Sequence, residues 1–190
     1  MLRIFTSAIL AVLAAVAAAT LLALPTSAAA PSGELAFAKV GYNANGADTL
    51  SNRWKEYIDL KNVTGSPVNV DGWFTQDAWA HAEHGDTTGD NACNTAVFTK
   101  MALRYLNTDA DNDGTDDGLW LPAGDVIRVY TAGADDATAA GPHTMAINKP
   151  GCGYNGHYLG NGGDTIRVKK KDGTLVAIFT YSFEHGYWIR

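Results

Sequence analysis

Reactive groups are scarce in this chain. Beyond residue 30 its serines are Ser32, Ser51, Ser66 and Ser182, and none sits in a G-x-S-x-G elbow. The strand-to-helix setting of a serine hydrolase is therefore missing. Neither cysteine, Cys93 or Cys152, lies in a Cys–His signature, which argues against a catalytic thiol. The 14 basic residues are outnumbered by 20 acidic ones, so there is no broad cationic surface to neutralise a phosphate backbone. Nucleic acid is a disfavoured partner. Amphipathic helical patterns are few and no internal repeat occurs, which directs attention to strands.

The first residues read as an export signal. "MLR" gives a positive start, 8–24 is an apolar run, and "PTSAAAPSG" supplies the small residues of a cleavage site. Residues 1–29 are expected to be removed, with 30–33 as a short linker. The competing reading is an uncleaved membrane anchor. The mature part, with 13 basic and 20 acidic residues, carries a net charge of −7. It is expected to be secreted and to hold no stable membrane span. In an oxidising compartment Cys93 and Cys152 read as a disulfide. Closing so long a loop is worth about 4 kcal/mol in the chain-entropy account.

The remaining 34–190 suits one domain. "ELAFAKVGYN" (34–43) reads as a first strand. "WKEYIDLKN" (54–62) alternates, with Trp54, Ile58 and Leu60 on one side and Glu56 among them. A turn at 63–67 leads to "VNVDGWF" (68–74). Residues 96–106 suit a strand or a short helix. "LPAGD" (121–125) turns into "VIRVYT" (126–131), and 164–182 form a hairpin whose Lys169–Lys171 run is expected at its solvated lip. Short strands with polar turns indicate a β-sandwich. The stretch 79–118 breaks this rhythm and reads as an insertion.

Three blocks carry a family resemblance: "EYIDLKNVTGSPVNVDGW" (56–73), "LPAGDVIRVYTAG" (121–133) and "LGNGGDTIRVKKKDGTLV" (159–176). Their order resembles the lamin tail domain, in its secreted bacterial form. The resemblance implies an immunoglobulin-like β-sandwich, all-β and non-catalytic. The bottom-up roles agree: Gly72 for a tight bend, Trp73 for the core and Asn62 for a turn.

"DADNDGTDDG" (109–118) places five aspartates within nine positions. Asp109, Asp111, Asp113, Thr115 through its carbonyl, and Asp117 fit a calcium loop, with Gly114 at the bend. The twelfth position is Trp120 rather than the bidentate Glu of an EF-hand. The loop thus resembles those of thrombospondin type 3 and dockerin-like repeats, with Asp116 or a distant acid completing the shell. The role expected of calcium is structural; the bland alternative is a solvated acidic loop.

"HAEHGD" (81–86) offers His81, Glu83, His84 and Asp86, but it lacks the His-Glu-x-x-His helical frame of zinc enzymes and reads as exposed loop. "GCGYNG" (151–156) satisfies a dinucleotide fingerprint in letters only, without the flanking strand and helix. No nicotinamide or redox cofactor is expected. Trp79 and Trp120 lie outside clear strands and are candidate ligand-contact aromatics. Together these readings indicate a secreted, non-enzymatic binding, targeting or adhesion module, with an extracellular or cell-surface protein or polysaccharide as partner. The alternative is a small extracellular hydrolase with its site in 79–118, using His81 and His84.

Overall fold

A computed structural model describes residues 31–42, 56–88, 94–100, 102–103, 106–109, 112–130, 143–146, 159–160, 162–182 and 187–189. Residues 1–30, Cys93, Cys152, Asp111 and the "GCGYNG" motif lie outside them. The expected signal peptide and disulfide therefore fall outside the described residues.

The alternation seen in the sequence becomes two facing sheets. β1 (Leu35–Gly41) and β2 (Tyr57–Asn62) pair antiparallel, and β2 pairs in turn with β7 (Val126–Tyr130). β8 (Thr144–Ala146) joins β7 in parallel, and β11 (Tyr187–Ile189) closes the other side against β1. The second sheet runs β10 (Leu175–Ser182), β9 (Gly163–Lys169), β4 (Phe74–Gln76) and β5 (Thr95–Val97). A two-stranded ribbon of β3 (Val68–Asn69) and β6 (Trp120–Leu121) lies beside them.

Between the sheets the core follows from the period of two. Ile58 and Leu60 of β2, Ile127 and Val129 of β7, and Ile166 and Val168 of β9 are all fully buried. Phe37 meets Phe179 across the sandwich with ring centroids 5.5 Å apart. Trp73, as expected, is in this core. The run 68–74 is not one strand: Gly72, at φ +72°, bends the chain between β3 and β4 and lets it pass from the ribbon to the second sheet. A side chain there would press on Lys171.

Two expectations change in the folded chain. Residues 79–118 are not wholly outside the sandwich: Thr95–Val97 form β5, an edge strand on β4, and Phe98, Leu103 and Leu106 are core residues. Lys169 is not on a solvated lip. It is 1% exposed, because α1 (Ala78–His84) and the turn after it cover the outer face of β9 and β4. His81, Glu83 and His84 are thus helical, not part of a loop. Asp77 supplies the N-cap that the sequence pattern left unrecognised.

Candidate functional site

The helix α1 buries a single side chain, Ala80, so apolar packing contributes little to its attachment. Polar contacts at both ends hold it instead. At the start, the Asp77 carboxylate accepts from the Ala80 N–H at 2.7 Å and from the Asn94 amide. Asp164 accepts from the Ala78 N–H at 3.0 Å. Asp77 is 2% exposed; burial, opposed by the Ala80 N–H and aided by the Asp164 charge, pushes its carboxyl up to about 7.

The far end rests on Lys169. Its ammonium donates to Gln76 Oε1 at 2.9 Å, to the Gly85 carbonyl at 2.8 Å and to Asp86 Oδ1 at 2.9 Å. It also lies 2.9 Å from His81 Nδ1. Desolvation lowers the Lys169 pKa while Asp86 opposes that effect, and the Lys169 hydrogen bond holds Asp86 below its ordinary value. This gathering is what zinc at His81 and Asp86 would have to displace, and a buried ammonium is not a neighbour a divalent cation tolerates. His84 faces elsewhere: its ring meets Trp79 edge-on, with centroids 6.5 Å apart. The two imidazoles named in the hydrolase alternative therefore serve separate contacts.

Trp79 is 53% exposed on α1. Trp120, in β6, is half-buried, and its indole donates to Asp117 Oδ1 at 2.8 Å. Of the two candidate aromatics, only Trp79 keeps a large free face.

The aspartate loop is wound about Asp109. One of its carboxylate oxygens accepts from the Asp113 N–H at 3.1 Å, the other from Gly114 N–H at 2.9 Å. Asn112 and Gly114 take the left-handed conformation this winding requires. Asp113 accepts from the Thr115 N–H at 2.7 Å. Asp116, expected to help complete a cation shell, instead pairs with Lys100. The donors suit a hard cation in chemistry, being carboxylates and a carbonyl. Among the described residues no three His, Cys, Asp or Glu side chains form a ligand group, and Asp111 lies outside them. The loop is fastened to the ribbon by Asn69, which accepts from Leu119 N–H at 3.1 Å and donates to the Asp117 carbonyl at 3.4 Å.

A second network marks the turn after β2. Asn62 is fully buried; its amide donates to the carbonyls of Ser66, Leu121 and Pro122 at 2.9–3.1 Å, and its oxygen accepts from Thr64. This ties the 56–73 block to the 121–133 block. Residues 28–183 match the family model of the Lamin Tail Domain. The chain belongs to the lamin tail domain family. A search of curated proteins found no match. Membership of the lamin tail domain family fits the all-β, immunoglobulin-like architecture and is compatible with a non-catalytic module.

Within this lamin tail domain the polar residues of the matched blocks have structural work. The Asn62 amide, meeting three carbonyls, is committed to holding this turn. On the outer face of β2, Asp59 holds Arg128 through two contacts of 2.7 Å. The guanidinium also covers the Tyr57 ring, 4.0 Å from its centroid. Glu56, 3% exposed, is one of the acids that, after burial and Asp164, push the Tyr181 phenol up. Tyr181 accordingly remains a donor, to the Gly160 carbonyl at 3.0 Å. Sequence reasoning missed Asp77, Asp164 and Lys169; a Ser/Thr/Asp/Asn start before "AWAHAEH" was the available signal for the first.

Proposed function

We propose that this lamin tail domain works outside the cell as a non-catalytic binding, targeting or adhesion module. The observation that carries the reading is Trp79. A large aromatic is left 53% exposed on a helix pinned at one end by Asp77 and at the other by Lys169. Exposed, rigidly held tryptophans suit stacking on a sugar or anchoring a protein contact, at small entropic loss. Asp77 and Asp164 cap α1 and Lys169 pairs with Asp86, a pattern that favours a platform over a reacting centre. Calcium in the 109–117 loop, held by Asp109, Asp111, Asp113, Asp117 and the Thr115 carbonyl, and a Cys93–Cys152 disulfide would stiffen it further.

Two measurements test this. In binding to immobilised polysaccharides and cell-surface proteins, Trp79→Ala is expected to weaken any interaction about tenfold or more with unchanged thermal unfolding. Equal binding by both forms would remove Trp79 from the function. For the loop, calcium at about 100 times its Kd should add about 2.7 kcal/mol, a Tm rise of several degrees that chelator reverses and Asp113→Ala abolishes. An identical Tm in calcium and chelator would leave the aspartates as a solvated loop.

A further inference from the structure

β10 ends its sheet, with β9 on one side and, among the described residues, no strand on the other. Three contacts show which way its backbone groups point. On the open side, the Val176 carbonyl accepts from the Gly33 N–H at 3.0 Å. On the β9 side, the Tyr181 carbonyl lies 2.8 Å from where a Cβ on Gly163 would stand. The Thr165 and Thr180 hydroxyls meet at 3.0 Å across the β9–β10 pair, the close approach of partners that exchange no backbone hydrogen bonds. With a period of two, Ile178, Thr180 and Ser182 therefore turn their N–H and C=O groups outward. No described residue bonds those groups. The segment at Ser32–Gly33 covers the edge only as far as Val176 and then leaves for β1.

Open strand edges are ordinarily blunted by lysine, proline, an inward charge or a bulge. β10, "LVAIFTYS", has no charge and no proline, and its one bulge, at 175–177, lies before the open part. Ile178 is 40% exposed there, and Thr180 and Ser182 are exposed beside it. We propose that a second copy of this chain pairs with the edge, β10 against β10 and antiparallel, on a two-fold axis at Thr180. The open length fits that register. Ile178 meets Ser182 of the second copy, and Thr180 meets its own counterpart. Each outward residue brings one donor and one acceptor, so about six hydrogen bonds cross the seam. An axis at Ile178 would instead call on the Val176 carbonyl, which Gly33 already occupies. The net charge of −6 opposes self-contact over much of the surface, but this seam has no like charges to bring together. Arg167 of β9 lies beside Ile178, in the row that leads to Ser182 of the second copy and not to another cation. Thr165 and Thr180 continue into the same pair of the second copy, a cross-strand match of hydroxyls. The axis stands perpendicular to the sheet, so both copies of Trp79 would face the same side, a consequence that rests on the Trp79 reading while the pairing does not. A seam this small suits a weak, reversible dimer.

The test is sedimentation equilibrium of the full chain from about 5 to about 500 μM, where a weak dimer forms and dissociates. The wild type is expected to pass from monomer to dimer across this range. Thr180→Lys and Thr180→Glu each set like charges opposite one another at the axis, and each should weaken association about tenfold or more. An equimolar mixture of the two variants sets Lys against Glu and should restore the dimer as a heterodimer. Because the Thr180 side chain is exposed, both variants should unfold at the wild-type temperature, which separates lost pairing from lost fold. A wild-type chain still monomeric at the highest concentration overturns the pairing and leaves the edge to a strand of another protein. Association equally strong in both variants shows that another surface, such as the apolar 8–24 run, joins the copies, and overturns it too. Two monomeric variants that stay apart on mixing overturn the axis at Thr180.

Discussion

Replacing Asp77 with Asn should stabilise this domain above neutral pH and do almost nothing in acid. The carboxyl is buried beside Asp164, and burial first of all raises it from an ordinary 3.8 to about 7. The folded state therefore keeps a proton that the unfolded chain has already released. For a group shifted in this direction, stability is highest below the unfolded value and falls as pH rises toward the folded one. Across some three pH units at about 1.36 kcal/mol each, the charged carboxylate costs at most about 4 kcal/mol at pH 8. Asn removes that charge and caps a helix as well as Asp does. Its oxygen retains the Ala80 N–H at 2.7 Å, and the Asn94 amide, which donates to Asp77, must turn to offer an oxygen to the new NH₂ group. Urea unfolding at pH 4, 6 and 8 should show Asp77→Asn more stable by about 2–4 kcal/mol at the highest pH, with the two proteins converging at the lowest. A variant less stable than wild type at pH 8, or a gap that does not narrow in acid, would refute the reasoning.

Two further outcomes follow from the loop anchors. Asn62→Ala removes the donor to the buried Leu121 carbonyl, together with the contacts to Ser66 and Pro122, and should cost about 1–3 kcal/mol in denaturant unfolding. Gly118→Ala places a methyl group 2.2 Å from the Asn69 amide nitrogen, at φ +151°. It should break the clamp between the ribbon and the aspartate loop, lowering Tm by an amount equivalent to about 1–3 kcal/mol and shrinking any calcium-induced rise.

The sandwich itself was legible because strand alternation and turn chemistry are local. Ile58 and Leu60 against Tyr57 and Asp59, or the Pro122–Gly124 turn, follow from residue order and a period of two. The lamin tail resemblance of the 56–73 and 159–176 blocks rested on the same local signals, and the family match agrees with it. The ends of β3 and β4 were less legible, since a single Gly72 bend decides whether 68–74 is one strand or two. The helix α1 was missed for a different reason: with one buried side chain it has no apolar stripe to detect.

What the sequence by itself determined, then, is the fold class, the inward-facing residues and the Asn62 turn, all properties of neighbours along the chain. Only the tertiary structure decided the fate of the charges. Lys169 sits in a run of three lysines that looks solvated, yet a helix 85 positions earlier closes over it. His81 and Asp86 look like metal ligands until β9 brings that ammonium between them. Asp77 and Asp164 are far apart in the chain and share one helix start. Burial and charge pairing depend on which segments the two sheets bring together, and that distance-dependent information has no signature in residue order.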